Sequence, residues 1–267
     1  MQTKVTVKKI KSKSFTESES YKKLRTNMQF SGKDIKAIAF TSTYPGEGKS
    51  EISYRAACSM AEMGKRTIYV DADLRNSNFT GRFIENHTGD LKGLVHCLVG
   101  ENTLDDVIVG TQNPNLDFIP IGAMPPNPSE LLAQEVFGEI IEQLKKRYDY
   151  VIIDTPPSGY VVDGVVASKA ADGVIFVVVA GVTSTKAAKS TVNELNNAGC
   201  KMLGTVLNKC MTKNGSSYGF GYGYGYGYGY GYGYGYGYGY GYANGYNKDF
   251  ANKKKSVFSI FKKKKRK

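Results

Sequence analysis

The sequence predicts an α/β fold with a doubly wound, mostly parallel sheet. Six β-rich runs alternate with longer segments of helical periodicity between residues 36 and 208, as expected when helices cross over between parallel strands. Several of these runs are apolar at consecutive positions, which is typical of strands covered by helices on both faces. Since 267 residues at 41% hydrophobic suffice for one sizeable core, we expect one domain followed by a tail.

The predicted strands are short runs rich in β-branched and aromatic residues, each followed by polar residues or a turn. They are KAIAFTST (36–43), RTIYVDA (66–72), LDFIP (116–120), DYVIID (149–154), DGVIFVVVA (172–180) and KMLGTVLN (201–208). Because the carboxyl ends of parallel strands share one edge of a sheet, residues that follow these runs are expected to come together there.

Two helices are predicted from the spacing of their apolar side chains. After Pro128, apolar residues recur at every fourth position, and Asn127 or Ser129 can cap the helix. The recurring residues are Leu132, Val136, Ile140 and Leu144. Residues 17–30 show a shorter amphipathic pattern, which predicts a helix attached to the core.

The positive charge of the chain is concentrated at its end. The last fifteen residues, KKKSVFSIFKKKKRK, supply +9 of the net charge of +12, so the rest of the chain carries only +3. Lysine-rich ends are usually only solvated, but the apolar residues within this block also suit contact with an anionic lipid surface. Four dispersed cysteines indicate a reducing compartment and no zinc site, and no apolar run reaches the roughly 20 residues of a spanning helix.

Residues 218–246 form a near-perfect Gly-Tyr repeat that holds 13 of the chain's 20 tyrosines. Glycine at every second position makes an ordered backbone costly, at about 1–2 kcal/mol per residue fixed. We therefore expect residues 213–252 to be disordered. Taken alone, such a tract is also typical of low-complexity segments that condense or bind RNA by stacking.

A phosphate-binding loop is predicted at the end of the first strand, in TSTYPGEGKS (41–50). Backbone N–H groups of the loop and the start of the following helix attract phosphate, Lys49 reaches its outer oxygens, and Ser50 offers a hydroxyl to Mg²⁺. Thr43 stands where the usual pattern has its first glycine. The predicted nucleotide-binding residues of the loop are Thr43, Pro45, Gly46, Glu47, Gly48, Lys49 and Ser50.

Three aspartates follow two other strands and supply the acidic part of the predicted site. Asp71 and Asp73 end TIYVDAD, and Asp154 ends YVIID, where Pro156 turns the chain out of the sheet. Phosphoryl transfer needs a metal and a group that takes the proton of the nucleophile. Asp154 is expected to contact Mg²⁺, and Asp71 and Asp73 to divide metal binding and proton acceptance. Taken singly, each aspartate is equally compatible with a solvated strand end.

In their order, TSTYPGEGKS, VDADLR and VIIDTPP resemble the deviant Walker A, A′ and B motifs of bacterial tyrosine kinases that control capsule and exopolysaccharide synthesis. The resemblance spans about residues 17 to 210. It implies a P-loop fold, ATP and Mg²⁺ as cofactors, and Lys49, Asp71 and Asp73 as catalytic residues, with Asp71 as the base. It also implies a metal site of Ser50, Asp71, Asp73 and Asp154. By likeness to related ATPases, Asn208 is expected near the nucleotide base, and a simple turn at the end of the strand is the equal alternative.

The resemblance also implies how such a chain assembles and what it modifies. Glu19, Lys22 and Arg25 occupy an oligomerisation motif whose central arginine is lysine here, which loses bidentate pairing with carboxylate. Tyrosines at the end of the chain are phosphorylated between subunits of a ring. In this sequence the acceptors are Tyr218, Tyr222, Tyr224, Tyr226, Tyr228, Tyr230, Tyr232, Tyr234, Tyr236, Tyr238, Tyr240, Tyr242 and Tyr246.

The same resemblance implies a cytoplasmic enzyme at the inner face of the membrane. Its partners are a separate transmembrane activator or chain-length regulator, further copies of itself and a tyrosine phosphatase, with no nucleic acid. The expected segments are an arm and oligomerisation helix (1–35), a kinase domain (36–212), the acceptor tail (213–252) and a basic-hydrophobic end (253–267).

Partition and septum-site ATPases share the fold and form the main alternative. Their loop carries a lysine where this sequence has Tyr44, and they leave the tyrosine repeat without a role. The second function therefore considered is a membrane-surface ATPase switch with a Gly-Tyr interaction tail.

Overall fold

The computed structural model describes residues 3–8, 10, 12, 14–77, 79–85 and 91–210. Strands in this part of the chain alternate with helices along the sequence. The strands are β1 (Thr6–Val7), β2 (Ala37–Ser42), β3 (Thr67–Asp71), β4 (Ile84–Glu85), β5 (Val109–Gly110), β6 (Leu116–Ile119), β7 (Tyr150–Asp154), β8 (Gly173–Val179) and β9 (Met202–Asn208).

Seven strands form one sheet in the order β5-β6-β3-β7-β2-β8-β9, and only β5 runs antiparallel to its neighbour. This confirms the doubly wound, mostly parallel fold, and each of the six predicted strands is present. The two-residue strands β1, β4 and β5 were not predicted, because so few residues carry no periodic pattern. β1 and β4 pair with each other outside the main sheet.

Helices cover both faces of this sheet. They are α1 (Phe15–Phe30), α2 (Lys49–Glu62), α3 (Phe79–Phe83), α4 (Leu94–Leu98), α5 (Leu104–Val107), α6 (Pro128–Ala133), α7 (Glu135–Arg147), α8 (Val162–Ser168) and α9 (Thr185–Asn197). One face packs on α1, α2 and α3, and the other on α4 to α9. The central strand β2 is buried along its whole length, which explains its run of apolar residues. Among the described residues, none of the helices is long and apolar enough to cross a membrane.

The helix predicted after Pro128 is two helices, with a break at Gln134. Gln134 has an extended backbone (φ −69°, ψ 148°), so α6 ends before it and α7 begins after it. Residues four positions apart are offset by about 40° around a helix. Several residues at this constant spacing therefore do not stay on one face of the helix. Val136 lies on the exposed side of α7, whereas Phe137, Ile140 and Leu144 are buried, so the prediction for Val136 was wrong.

The amphipathic helix predicted over residues 17–30 is present as α1. Ser14 caps it by accepting a hydrogen bond from the backbone N–H of Glu17 (3.1 Å), and Met28 is buried against the core. On α2, buried Arg55 forms an ion pair with Glu17 (2.6 Å) and lies 4.0 Å from the ring centroid of Tyr21. These contacts fix α1 against the helix that follows the phosphate loop.

Candidate active site

The loop between β2 and α2 has the backbone of a phosphate-binding loop. Gly46 and Gly48 have positive φ angles (79° and 95°), a region that side chains disfavour. A Cβ on Gly48 would also lie 2.3 Å from Nδ2 of Asn208, so the loop excludes any larger residue there. Gly48 is the N-cap of α2, which leaves the first N–H groups of a 14-residue helix facing the loop.

Glu47, predicted as a nucleotide-binding residue, supports the loop from inside. Its carboxylate accepts hydrogen bonds from the backbone N–H groups of Thr43 (2.8 Å) and Tyr44 (2.9 Å) and contacts the hydroxyl of Thr183. The side chain is buried. Glu47 therefore holds the backbone of the loop in place, and its side chain points into the loop.

The last residue of β9 and the residue that follows it also reach the phosphate loop. Asn208 donates from Nδ2 to the carbonyl oxygen of Glu47 (2.8 Å), and Lys209 donates from Nζ to the carbonyl oxygen of Gly46 (2.9 Å). The prediction that Asn208 lies beside the nucleotide site is consistent with this position. The contact of Lys209 was not predicted, since a lone lysine after a strand gives no signal in the sequence.

Lys49 lies between two of the predicted aspartates. Its Nζ is 2.8 Å from Asp73 and 3.9 Å from Asp154, and it also lies 3.4 Å from the hydroxyl of Ser50. Burial acts to lower the pKa of Lys49, but Asp154 and Asp73 outweigh it and raise that pKa, so the lysine is charged. A fixed cation is thereby held at the base of the loop.

Asp71 is a buried carboxylate with a strongly altered affinity for protons. Burial, and next the charge of Asp154, raise its pKa to about 8. One carboxylate oxygen accepts the hydroxyl of Ser77, and the other accepts the backbone N–H of Asp73 (3.2 Å). These bonds fix the orientation of the carboxylate. Ser77 is thus a neighbour of Asp71 that was not predicted from the sequence.

Asp154 provides the oxygen best suited to a metal ion. Its Oδ1 is buried and, within the described residues, has no hydrogen-bond partner, and burial raises the pKa of this carboxyl despite the nearby Lys49. Such an orphaned oxygen beside the Ser50 hydroxyl fits the hard-oxygen preference of Mg²⁺. No three acidic, histidine or cysteine side chains of the described chain converge as a ready metal cluster. Mg²⁺ at phosphate sites commonly takes only one or two protein carboxylates.

A second polar junction behind these acids was not predicted. Arg75 binds the buried carboxylate of Asp163 through two nitrogens (2.5 and 3.1 Å), and Ser129 donates to the same carboxylate (2.5 Å). This ties the segment that carries Asp71 and Asp73 to the starts of α6 and α8. In the sequence, the arginine of the VDADLR motif was the only indication of this junction. Its partners could not be predicted because they lie 54 and 88 residues further along the chain.

The structure brings the predicted loop, aspartates and Asn208 to one edge of the sheet but leaves the other predicted residues elsewhere. Glu19 and Lys22 pair with each other (2.7 Å) on the exposed side of α1, and Arg25 bonds to Ser59 of the same chain (3.2 Å). Their role in oligomerisation stays a prediction. All thirteen predicted acceptor tyrosines and the basic end lie outside the described residues.

Comparisons with known proteins agree with this geometry. The family described as "AAA domain" matches residues 35–204. The chain is 42% identical over 201 residues to "Tyrosine-protein kinase CpsD" of Streptococcus agalactiae, covering 75% of this chain and 85% of that protein. The crystal structure of the chimerical protein CapA2B2 is 31% identical with a TM-score of 0.69, covering 78% of this chain and 94% of that one.

A septum-site protein gives a weaker match. The Pyrococcus horikoshii septum site-determining protein MinD, complexed with Mg-ADP, is 25% identical with a TM-score of 0.55, covering 64% of this chain and 69% of that one. The fold is therefore shared with both groups, whereas the sequence is closer to the kinases. With its nucleotide-binding loop and buried aspartates, the chain belongs to the AAA-domain family and, within it, to the bacterial tyrosine-protein kinases.

Proposed function

We propose that this protein is an ATP-dependent tyrosine kinase that phosphorylates the Gly-Tyr tail of a neighbouring copy and thereby regulates capsular or exopolysaccharide synthesis or export. The observation that carries the proposal is the position of Asp71, a buried carboxyl group at the end of β3 that pairs in register with Asp154, whose Oδ1 lies 3.9 Å from Nζ of Lys49 at the phosphate loop. An ATPase switch can use the same carboxylate to orient water, so the thirteen tyrosines of the Gly-Tyr repeat are what favours the kinase over the switch.

The loop and Lys49 are the groups that would bind the phosphates. The N–H groups at the start of α2 and the Lys49 ammonium concentrate positive charge at one point, where the terminal phosphoryl group carries its negative charge. When bound, Mg²⁺ neutralises phosphate charge, and Ser50, Asp154 and Asp73 are the residues that would hold it. Lys49 would then exchange part of its pairing with Asp73 for the phosphate oxygens.

Asp71 would take the proton of the acceptor tyrosine. A tyrosine hydroxyl has a pKa near 10 and is a poor nucleophile at neutral pH unless a base accepts its proton as the bond to phosphorus forms. The raised pKa of Asp71, about 8, makes its carboxylate a stronger base than an ordinary aspartate. Ser77 and the Asp73 N–H hold that carboxylate in one orientation. The carboxylate would therefore already be oriented before the acceptor tyrosine binds.

The proposed acceptors and partners rest on the resemblance. The tail tyrosines are uncharged, numerous and flanked by glycine, and a tail of about 29 residues spans up to about 95 Å when extended, enough to reach another subunit. A separate transmembrane activator is proposed because the matched chimera is named for a CapA and a CapB part. The cognate phosphatase, assembly into a ring and lipid contact of the basic end belong to the same proposal.

The test is incubation of the full chain with Mg-ATP followed by intact mass and peptide mapping. We expect mass increases in steps of one phosphate, located between Tyr218 and Tyr246, and none in Lys49→Met. A variant with all thirteen tail tyrosines changed to phenylalanine should bind ATP normally and gain no phosphate. ATP turnover without any mass increase would instead support the membrane-surface ATPase switch with a Gly-Tyr interaction tail.

A further inference from the structure

Exposed apolar side chains collect on the loops that surround the candidate active site. Tyr160 is 69% exposed, Val182 75% and Met124 63%, and Val162 and Tyr44 are also exposed. We call these five residues the apolar rim. Soluble proteins seldom leave such side chains together in water without a partner, so the rim indicates an interaction surface.

The members of the rim follow the order of the strands across the sheet. Met124 comes after β6, Tyr160 and Val162 after β7, Tyr44 after β2 and Val182 after β8. In the sheet order β6-β3-β7-β2-β8, Asp71 at the end of β3 lies within this row. With about 4.8 Å between neighbouring strands, the row from β6 to β8 is about 19 Å long.

Two of these loops are in direct contact, which makes the rim continuous beside the phosphate loop. The N–H of Gly159 donates to the carbonyl oxygen of Ser42 (3.4 Å), and a Cβ on Gly159 would lie 2.7 Å from the carbonyl oxygen of Thr43. Tyr160 and Tyr44 are the next residues in the two loops. The aromatic side chains therefore start from adjacent points of the backbone.

We propose that the apolar rim binds an extended Gly-Tyr segment of a second copy of this chain across the carboxyl ends of the strands. In an extended chain every second side chain points the same way, so alternation of Gly and Tyr places all tyrosines on one face, about 6.7 Å apart. A row of about 19 Å then holds about three tyrosines. The middle one faces Asp71, and its two neighbours pack on the apolar side chains at either side.

Charge supports this occupant over an acidic or basic peptide. Residues 218–246 contain no charged side chain, and the five rim residues contain none. The glycine face of the segment has no side chain to keep its backbone away from the loops. This inference rests on the proposed function and adds a rule of recognition to it: a tyrosine with an aromatic residue two positions before and two positions after it is phosphorylated most readily. Tyr218, Tyr242 and Tyr246 lack at least one such neighbour and are expected to be the poorer acceptors.

Three synthetic peptides test the spacing with the full-length protein. They are Gly-Gly-Phe-Gly-Tyr-Gly-Phe-Gly-Gly, the same peptide with serine for both phenylalanines, and Gly-Phe-Gly-Gly-Tyr-Gly-Gly-Phe-Gly, which moves the phenylalanines to the opposite face. Two aromatic contacts should give the first peptide a KM about three- to tenfold lower than either of the others, with kcat similar. Equal KM values for the three peptides would overturn the proposal.

Enzyme variants locate the effect on the rim. Tyr160→Ser should remove most of the advantage of the first peptide while leaving the KM for ATP unchanged, and Tyr160→Phe should retain it. Met63→Ser is the matched control, because Met63 is a half-exposed apolar residue at the other end of α2. Loss of the advantage in Met63→Ser to the same degree would contradict the assignment.

A binding measurement separates this inference from the proposed function. Fluorescence anisotropy of labelled Gly-Gly-Phe-Gly-Phe-Gly-Phe-Gly-Gly, which cannot be phosphorylated, should show tighter binding than its serine counterpart, and Tyr160→Ser should abolish the difference. Preferential binding without transfer to any tyrosine peptide would uphold the rim and reject the kinase assignment. Phosphate transfer to a tyrosine peptide without preferential binding of the aromatic peptide would uphold the kinase assignment and reject the rim.

Discussion

At the amino-terminal ends of the parallel strands, Asp172 accepts hydrogen bonds from the backbone N–H groups of Lys36 (2.9 Å) and Ala37 (2.8 Å). It also forms an ion pair with Lys145 (2.7 Å). At the carboxyl ends of the same sheet, Asp154 is buried with one oxygen unbonded, and Asp71 lies beside it. One sheet thus carries a fully hydrogen-bonded aspartate at one end and, at the other, two neighbouring buried aspartates, of which Asp154 has an unbonded oxygen.

The pKa shifts follow this difference in partners. Burial acts to raise the pKa of Asp172, but Lys145 and the two backbone donors outweigh it and lower that pKa. For Asp71, burial and the neighbouring Asp154 raise the pKa to about 8. The aspartate at the amino-terminal end therefore stabilises the fold, whereas the aspartate at the carboxyl end has an altered affinity for protons. Substitutions at the two ends should separate stability from catalysis.

The largest functional effect is expected for Lys49→Met. The variant removes the only charged donor within bonding distance of Asp73 among the described contacts, and with it the cation held at the base of the loop. Tail phosphorylation should fall by at least about 10²- to 10³-fold. Lys145→Met at the opposite end is the control and should keep the transfer rate. Phosphotyrosine at the normal level in Lys49→Met would contradict the assignment of the loop.

Asp71→Asn should come next, with a loss that is confined to transfer. An amide keeps the size of the carboxylate but cannot accept the proton, so the rate should fall by about 10²- to 10⁴-fold while nucleotide affinity changes little. The free energy of unfolding should stay close to that of the parent, because a pKa of about 8 already leaves Asp71 mostly protonated at pH 7, and the variant replaces one neutral buried group with another. Comparable losses of nucleotide binding and transfer would make Asp71 a binding or folding residue instead.

Asp172→Asn should give the reverse result. Loss of charge-assisted hydrogen bonds at the start of β2 should lower the free energy of unfolding by about 1–3 kcal/mol at pH 7, with tail phosphorylation per folded molecule unchanged. Denaturant titration and intact mass measure the two quantities. Impaired transfer in the folded variant would show that the two ends are coupled.

The pH dependence of this variant has a defined sign. Because the folded-state pKa of Asp172 is lowered, its carboxylate stabilises the fold above its unfolded-state pKa of about 4, and that contribution is lost as the pH falls through the folded-state value. The stability difference between parent and Asp172→Asn should therefore narrow below about pH 4. A difference that stays constant with pH would assign the effect to packing.

The sequence predicted the sheet and the acidic edge because their signals are local. Apolar runs mark buried strands, and a residue that ends such a run must lie at the strand's carboxyl end, so Asp71 and Asp154 could be placed without a structure. Their chemistry could not be predicted. The raised pKa of Asp71 depends on burial and on Asp154, which lies 83 residues away in the chain and next to it in the sheet register.

Other features escaped the sequence because they depend on contacts between distant segments. Arg75 meets Asp163 across 88 residues, and Glu47 turned inward because backbone donors of its own loop were available. The prediction joined α6 and α7 into one helix because a four-residue spacing was taken as a single buried face. The backbone is in fact extended at Gln134, between the two helices. A local sequence pattern predicts where a residue lies along a helix or strand, but it does not predict which distant side chain that residue contacts.

The smallest effect expected at the carboxyl end is that of Asn208→Ala. The variant removes the hydrogen bond from the backbone N–H of Lys209 to Oδ1 (2.8 Å) and the one from Nδ2 to the carbonyl oxygen of Glu47 (2.8 Å), which is worth about 0.5–1.5 kcal/mol. Since this bond supports the loop that faces the nucleotide, ATP affinity should weaken by about two- to tenfold, as measured by isothermal titration. Arg66→Ala at the amino-terminal end removes an exposed ion pair with Asp149 (3.5 Å) and should leave ATP affinity unchanged, with under about 1 kcal/mol lost in stability. If both variants weakened ATP binding equally, support of the loop by β9 would be ruled out as the cause.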